Sequence, residues 1–155
     1  MKHISFIEPD VESWLDSFHF ETTLKVRFSE TDAFGHVNNV SHIIYFEQAR
    51  LDYFEDIGVF SAFLDPAYPT MVVAADIHCH YVGQMYFNQR LKVKVKSAKV
   101  GTSSLDLHYA IVDEEDNMQV LAVARGAIVH VHKSTGKSTP WSLEMKEKVL
   151  NYEKV

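Results

Sequence analysis

The feature that most constrains this chain is a helical pattern from about Asn39 to Ile57, closed by Gly58 where a left-handed C′ residue belongs. At about 100° per residue, Val40, Ile43, Ile44, Leu51 and Phe54 fall on one stripe. Phe46, Tyr53 and Ile57 lie on a second side, so the helix is apolar over more than half its circumference. Such a helix expects to be wrapped by other elements, not laid on a surface.

The remaining pattern supplies the wrapping. Residues 10–18 read as a short leading helix with Asp10 as N-cap after Pro9. From Thr22 to Phe28, Leu24, Val26 and Phe28 alternate with Thr23, Lys25 and Arg27, as a half-buried strand should. A polar, glycine-containing loop, Ser29 to Val37, leads into the long helix. Thr70 to Val82 reads as one strand with weak alternation. Leu91, Val93 and Val95 alternate with Lys92, Lys94 and Lys96. A tight turn at Gly101-Thr102 precedes Leu105, Leu107, Tyr109 and Ile111, which alternate with Asp106 and His108. The acidic stretch Asp113 to Asn117 turns the chain into Met118 to His132, apolar on both faces as a central strand is. A short helix after Pro140, up to about Leu150, closes the chain. Short turns imply an antiparallel meander, so the expected fold is α+β, an antiparallel sheet wrapped around one central helix. With 155 residues, 46% of them hydrophobic, the expectation is a single domain over 1–155.

Charge and motifs exclude several classes. A formal net charge of −6 does not invite nucleic acid or an anionic membrane. A single cysteine, Cys79, excludes an internal disulfide and fits a reducing compartment. No apolar run approaches the roughly 18 to 20 residues of a membrane span, and the acidic N-terminus lacks the h-region of a secretion signal. The expected location is cytoplasmic. His78 with His80, and His130 with His132, share strand faces, yet no carboxylate or cysteine completes a metal-ligand spacing. Neither G-x-S-x-G nor a glycine-rich phosphate loop is present.

Chemistry concentrates in residues 27–50, RFSETDAFGHVNNVSHIIYFEQAR. Asp32 sits in the loop before the helix, where Gly35 permits an unusual backbone turn. Asn38 as N-cap leaves the first helical N–H groups, near Asn39 and Val40, unpaired at the positive end of the helix dipole. A carboxylate beside such donors suits acyl transfer or hydrolysis. Asp32, His36 and Asn38 are also residue types that simply form turns and caps, and that alternative stays open. Glu47 falls in the middle of the stripe of Val40, Ile44, Leu51 and Phe54, where a carboxylate needs a partner. Arg50 stands at pairing distance along the helix.

T-D-x-x-G-H-V-N-N followed by a helix containing Y-F-E-Q-A-R resembles the signature of the 4-hydroxybenzoyl-CoA thioesterase and acyl-CoA thioesterase branch of the hotdog superfamily. The order of elements over residues 22–132 is also similar to that family. The resemblance implies a hotdog fold and an acyl-CoA thioesterase that needs no metal or redox cofactor. It implies that Asp32 acts as nucleophile or as base toward water, and that the Asn39 backbone N–H polarises the thioester carbonyl. His36 and Asn38 match positions that line the site and orient the loop. Glu47 and Arg50 match a recurrent helix pair. Asp32, His36, Asn39 and Glu47 are therefore the catalytic candidates; Gly35, Asn38, Val40, Tyr45, Arg90 and Lys92 are the substrate-binding candidates. Arg90 and the row Lys92, Lys94 and Lys96 either meet CoA phosphates or guard the sheet against unwanted pairing. A homodimer with the site between subunits, often paired into a tetramer, is implied as well. Where many relatives carry a proline and a Gly-Asp pair after the strand ending at Tyr81, this chain has Gln84 and Asn88-Gln89, which leaves the acyl group open. An acyl carrier protein thioesterase and a non-catalytic acyl-CoA-binding protein are the alternatives.

Overall fold

The computed structural model describes residues 3–154. The leading helix α1 spans Val11–Asp16, and the Asp10 carboxylate accepts the Ser13 N–H at 2.8 Å, as expected of its cap. Strand β1 covers Phe20–Lys25, starting and ending earlier than the alternation suggested. The chain leaves the strand because Glu30 takes the Arg27 N–H and its guanidinium, bending residues Phe28–Glu30 into a 3₁₀ turn. Phe28, expected to face the core, is 75% exposed.

Helix α2 runs Asn39–Ile57, with the Asn38 side chain accepting the Ser41 N–H at 2.9 Å and Gly58 at φ 80°. Its buried face takes the second apolar side, Phe46, Tyr53 and Ile57, and only Phe54 of the first stripe is fully buried. His42, Tyr45, Phe46, Ala49, Tyr53, Phe54 and Ile57 face inward, whereas Val40 and Ile44 are 59% and 50% exposed and Glu47 points to solvent. Both stripes satisfy helical periodicity; the one carrying more aromatic volume fills the sheet's concavity.

A short α3, Phe60–Leu64, follows. The expected strand over 70–82 is two strands, β2 (Thr70–Ala74) and β3 (His78–Tyr81), both antiparallel to β6. The break lies opposite Gly126. There the Asp76 carboxylate accepts the Ala127 N–H at 2.9 Å, and a Cβ on Gly126 would stand 2.6 Å from the Asp76 carbonyl oxygen. Strands β4 (Arg90–Val100), β5 (Ser104–Asp113) and β6 (Val120–His132) complete a six-stranded sheet of order β1-β4-β5-β6-β2, with β3 also on β6. All pairings are antiparallel. The closing helix α4 spans Leu143–Glu153, starting and ending about one turn later than expected because Ser142, not a residue nearer Pro140, caps it.

Two cores result. Leu91, Val93, Val95, Leu105, Leu107, Tyr109 and Ile111 pack with the inner residues of α2 on one face of the sheet. On the other face Ile4, Ile7, Trp14, Leu15 and Phe18 cover Ala110, Val112 and Val123. The N-terminal segment is thus a second cover for a sheet whose first is the long helix.

Candidate active site

The loop ahead of α2 is built by Asp32. Its Oδ1 accepts the Phe34 N–H at 2.8 Å, and its carbonyl oxygen accepts the Gly35 N–H at 3.1 Å. Its own N–H donates to the His36 carbonyl at 3.0 Å. Gly35 makes this possible at φ 82°, in the left-handed region. Val37 then donates to the Met85 carbonyl at 2.7 Å, tying the loop to the segment between β3 and β4.

At the helix start, Asn38 uses its side-chain oxygen on Ser41 alone. The N–H groups of Asn39 and Val40 have no partner among the described residues, and they lie at the positive end of a 19-residue helix. Asp32, His36 and Asn39 line one cleft of about 290 Å³, with Val37, His42, Tyr81, Gly83, Gln84 and Met85. Gly35 and Asn38 do not line it; they act on the loop turn and on the helix cap.

Two lining residues, His42 and Tyr81, escaped the sequence reading, which does single out Gln84. His42 lies on the buried stripe of α2, i to i+4 with Phe46, and that spacing was the signal that a polar side chain is held inside. Its Nδ1 is 3.0 Å from the Asn38 carbonyl oxygen. Burial pushes its pKa below the ordinary histidine value, against the raising effect of that carbonyl, and nearby His36 lowers it further. Tyr81 comes from the inner side of β3; its ring meets His42 edge-on at 4.8 Å, and its hydroxyl donates to the Asn39 carbonyl at 3.3 Å. Gln84 Oε1 accepts the Tyr86 hydroxyl at 2.7 Å, and its amide NH₂ has no partner among the described residues.

Other candidates lie elsewhere. Tyr45 is buried and gives its hydroxyl to Glu30 at 2.6 Å, beside a separate cleft lined by Leu24, Arg27, Ile44 and Gln48. Glu47 is exposed, forms no salt bridge with Arg50, and is not on a buried face as expected. Arg50 instead lies close to Tyr109, whose hydroxyl is buried without a partner. Arg90 pairs with Glu114, and Lys92 and Lys94 pair with Glu21 at 3.0 and 2.9 Å. These cations serve the outer side of the sheet and its edge, because alternation sends Leu91 and Val93 to the core instead. None of them reaches the Asp32 cleft. His130 spends both ring nitrogens, on Thr139 and Thr70, and His78 stacks on His80 at 4.5 Å. Among the described residues no group of three or more His, Cys, Asp or Glu is placed to hold a metal ion.

A loop aspartate beside unpartnered helix donors suits acyl chemistry, and comparison with known proteins gives the family. The model of the thioesterase-like superfamily matches residues 26–149. The chain belongs to this superfamily. The chain is 39% identical over 153 residues to the uncharacterized protein YsmA of Bacillus subtilis (strain 168), covering 97% of this chain and 99% of that one. YbaW, a probable thioesterase from Escherichia coli, superposes with TM-score 0.74 at 27% identity, over 84% of this chain and 96% of its own. The hypothetical protein SAV2348 from Staphylococcus aureus, in complex with CoA, superposes with TM-score 0.77 at 13% identity, over 87% and 84%. The fold of this thioesterase-like chain is the α+β hotdog fold, and the chain is a thioester hydrolase.

Proposed function

We propose that this chain hydrolyses acyl-CoA to the free acid and CoA, with Asp32 as the catalytic carboxylate. The observation that carries the reading is that Asp32 lines one cleft with Asn39, whose backbone N–H has no partner among the described residues. In this scheme the thioester carbonyl oxygen accepts from the Asn39 N–H, so charge developing on it meets a fixed dipole. Asp32 attacks the carbonyl carbon or activates water, and CoA leaves as a thiolate that needs little acid assistance. His36 lines the cleft, and Asn38 holds the helix start in place. CoA as the carrier is supported by the S. aureus structural relative with bound CoA. An acyl carrier protein thioesterase and an acyl-CoA-binding protein without turnover are the competing readings.

The exposed stripe of Val40 and Ile44, next to the cleft, supports a homodimer in which a second copy covers that stripe. Pairing of dimers into a tetramer, and a cytoplasmic location, complete the proposal. No helix among the described residues is long and apolar enough to cross a membrane.

The test is free-thiol release from acetyl-, isovaleryl-, octanoyl- and benzoyl-CoA, with Asp32→Asn as control. Release by the wild type, lost in a folded Asp32→Asn protein, is the expected result. An Asp32→Asn protein that keeps wild-type rates overturns the assignment of Asp32. Tight CoA-ester binding with no thiol release over hours replaces catalysis with binding.

A further inference from the structure

The scheme above gives no task to the cleft's buried histidine. His42 is 4% exposed, one turn into α2, and lines the same cleft as Asp32 and Asn39. A carbonyl oxygen only accepts, so the ring nitrogen 3.0 Å from the Asn38 carbonyl carries the proton. In a neutral imidazole the other nitrogen, Nε2, is then a lone-pair acceptor. Nε2 has no hydrogen-bond partner among the described residues, and it is not sealed off as the Tyr109 hydroxyl is. Tyr81, edge-on to the ring, holds the ring plane. Burial keeps the ring neutral near pH 7, which preserves the lone pair. Asp32 shows a matching asymmetry: Oδ1 is committed to the Phe34 N–H, and Oδ2 accepts nothing from the described residues.

Two acceptors opening on one cleft match the two O–H donors of a single water. A water held that way turns its own lone pair toward the third side, where the carbonyl bound by the Asn39 N–H would lie. We propose that His42 Nε2 and the Asp32 carboxylate together hold the water that attacks the thioester carbonyl, Asp32 being the base. This rests on the reading of Asp32 as the catalytic carboxylate and decides between its two roles. The water oxygen forms a bond to the acyl carbon, and one water proton passes to Asp32. The carbon–sulfur bond then breaks, its electron pair leaving with CoA as thiolate, and Asp32 returns the proton to thiolate or solvent. The products are one acid and one CoA. His42 accepts the second O–H throughout and exchanges no proton; it fixes where the oxygen lone pair points.

Two substitutions separate this role from packing. His42→Asn keeps an N–H donor where Nδ1 stands, near the Asn38 carbonyl, but has nothing at the Nε2 position. His42→Gln places an amide oxygen or nitrogen near Nε2. With whichever of acetyl-, isovaleryl-, octanoyl- or benzoyl-CoA the wild type turns over fastest, His42→Asn is expected to lower kcat about 10- to 100-fold with KM unchanged. His42→Gln is expected to recover a large part of that loss. Equal rates for all three proteins, or equal losses in both variants, overturn the proposal. A second measurement needs no variant. After many turnovers in ¹⁸O-water, the wild-type peptide containing Asp32 is expected to be unlabelled, because water attacks the acyl carbon. Label in Asp32 means that it formed an anhydride, and overturns the proposal even where a variant fails to fold. Wild-type rates in Asp32→Asn would remove the underlying reading as well, whereas loss there with normal rates in His42→Asn removes only the role of His42.

Discussion

The hydroxyl of Tyr53, a turn from the end of α2, donates to the carboxylate of Glu153, the last residue of α4, across 100 positions of sequence. The same carboxylate oxygen accepts the Ser97 N–H at 2.7 Å, where the pairing of β4 with β5 shifts register. The irregularity frees a strand N–H from the ladder, and a carboxylate from the final helix takes it. All three side chains are buried.

Glu153→Ala should therefore destabilise the fold by about 2 kcal/mol, because the Tyr53 hydroxyl and the Ser97 N–H lose a charged acceptor and keep only the Ser97 hydroxyl at 2.8 Å and the Tyr53 oxygen at 3.1 Å. Glu153→Gln, which keeps one acceptor oxygen, should lose clearly less. Urea midpoints of the two variants check this; equal losses would assign the effect to helix packing alone.

Gly35 sits at φ 82°, and a Cβ there meets nothing within 4 Å. The cost of Gly35→Ala is then backbone strain alone, about 1 kcal/mol. Its effect on turnover should exceed its effect on stability, because the same turn aims Asp32. Gly35→Asn, a residue tolerant of the left-handed region, should retain more activity than Gly35→Ala. Thiol release and thermal melts on both variants give the comparison.

On the outer sheet face the Trp14 indole donates to His108 Nδ1 at 3.2 Å. Burial, helped by Lys96, pushes the His108 pKa down to about 4. An unfolded histidine takes its proton near about 6.5. Between these values the unfolded chain binds more protons, so this contribution is fully present above about pH 6.5 and declines as pH falls toward 4. Denaturant midpoints from pH 7 to pH 4.5 should fall more steeply for the wild type than for His108→Gln. Identical slopes would contradict the assignment.

If a second copy covers Val40 and Ile44, Ile44→Asp should shift the chain from dimer to monomer while leaving its circular dichroism intact. Sedimentation velocity reads this directly. A wild type that sediments as a monomer would refute the dimer.

Much of the candidate site was legible because it is local. Asp32, Gly35, His36, Asn38 and Asn39 lie within eight consecutive residues, and a turn plus a cap brings them together without distant help. His42 and Tyr81 were not legible as a pair: they are 39 positions apart, and only the docking of β3 beside α2 makes their rings meet. Arg90 and Lys92 could not be placed for the opposite reason. Their alternation was plain, but it does not say which face of the sheet meets the cleft.

By itself the sequence determined the bounds of α2 and its cap residues, the alternation of β4 and β5, and the turn that carries Asp32. These follow from backbone preferences and from periods that repeat within a few residues. The tertiary structure decided which apolar stripe of α2 is buried, where the strand over 70–82 breaks against Gly126, and that the N-terminal segment covers the outer face. Periodicity says that a face is apolar; which partner surface removes it from water depends on volumes and close approaches between segments far apart in the chain.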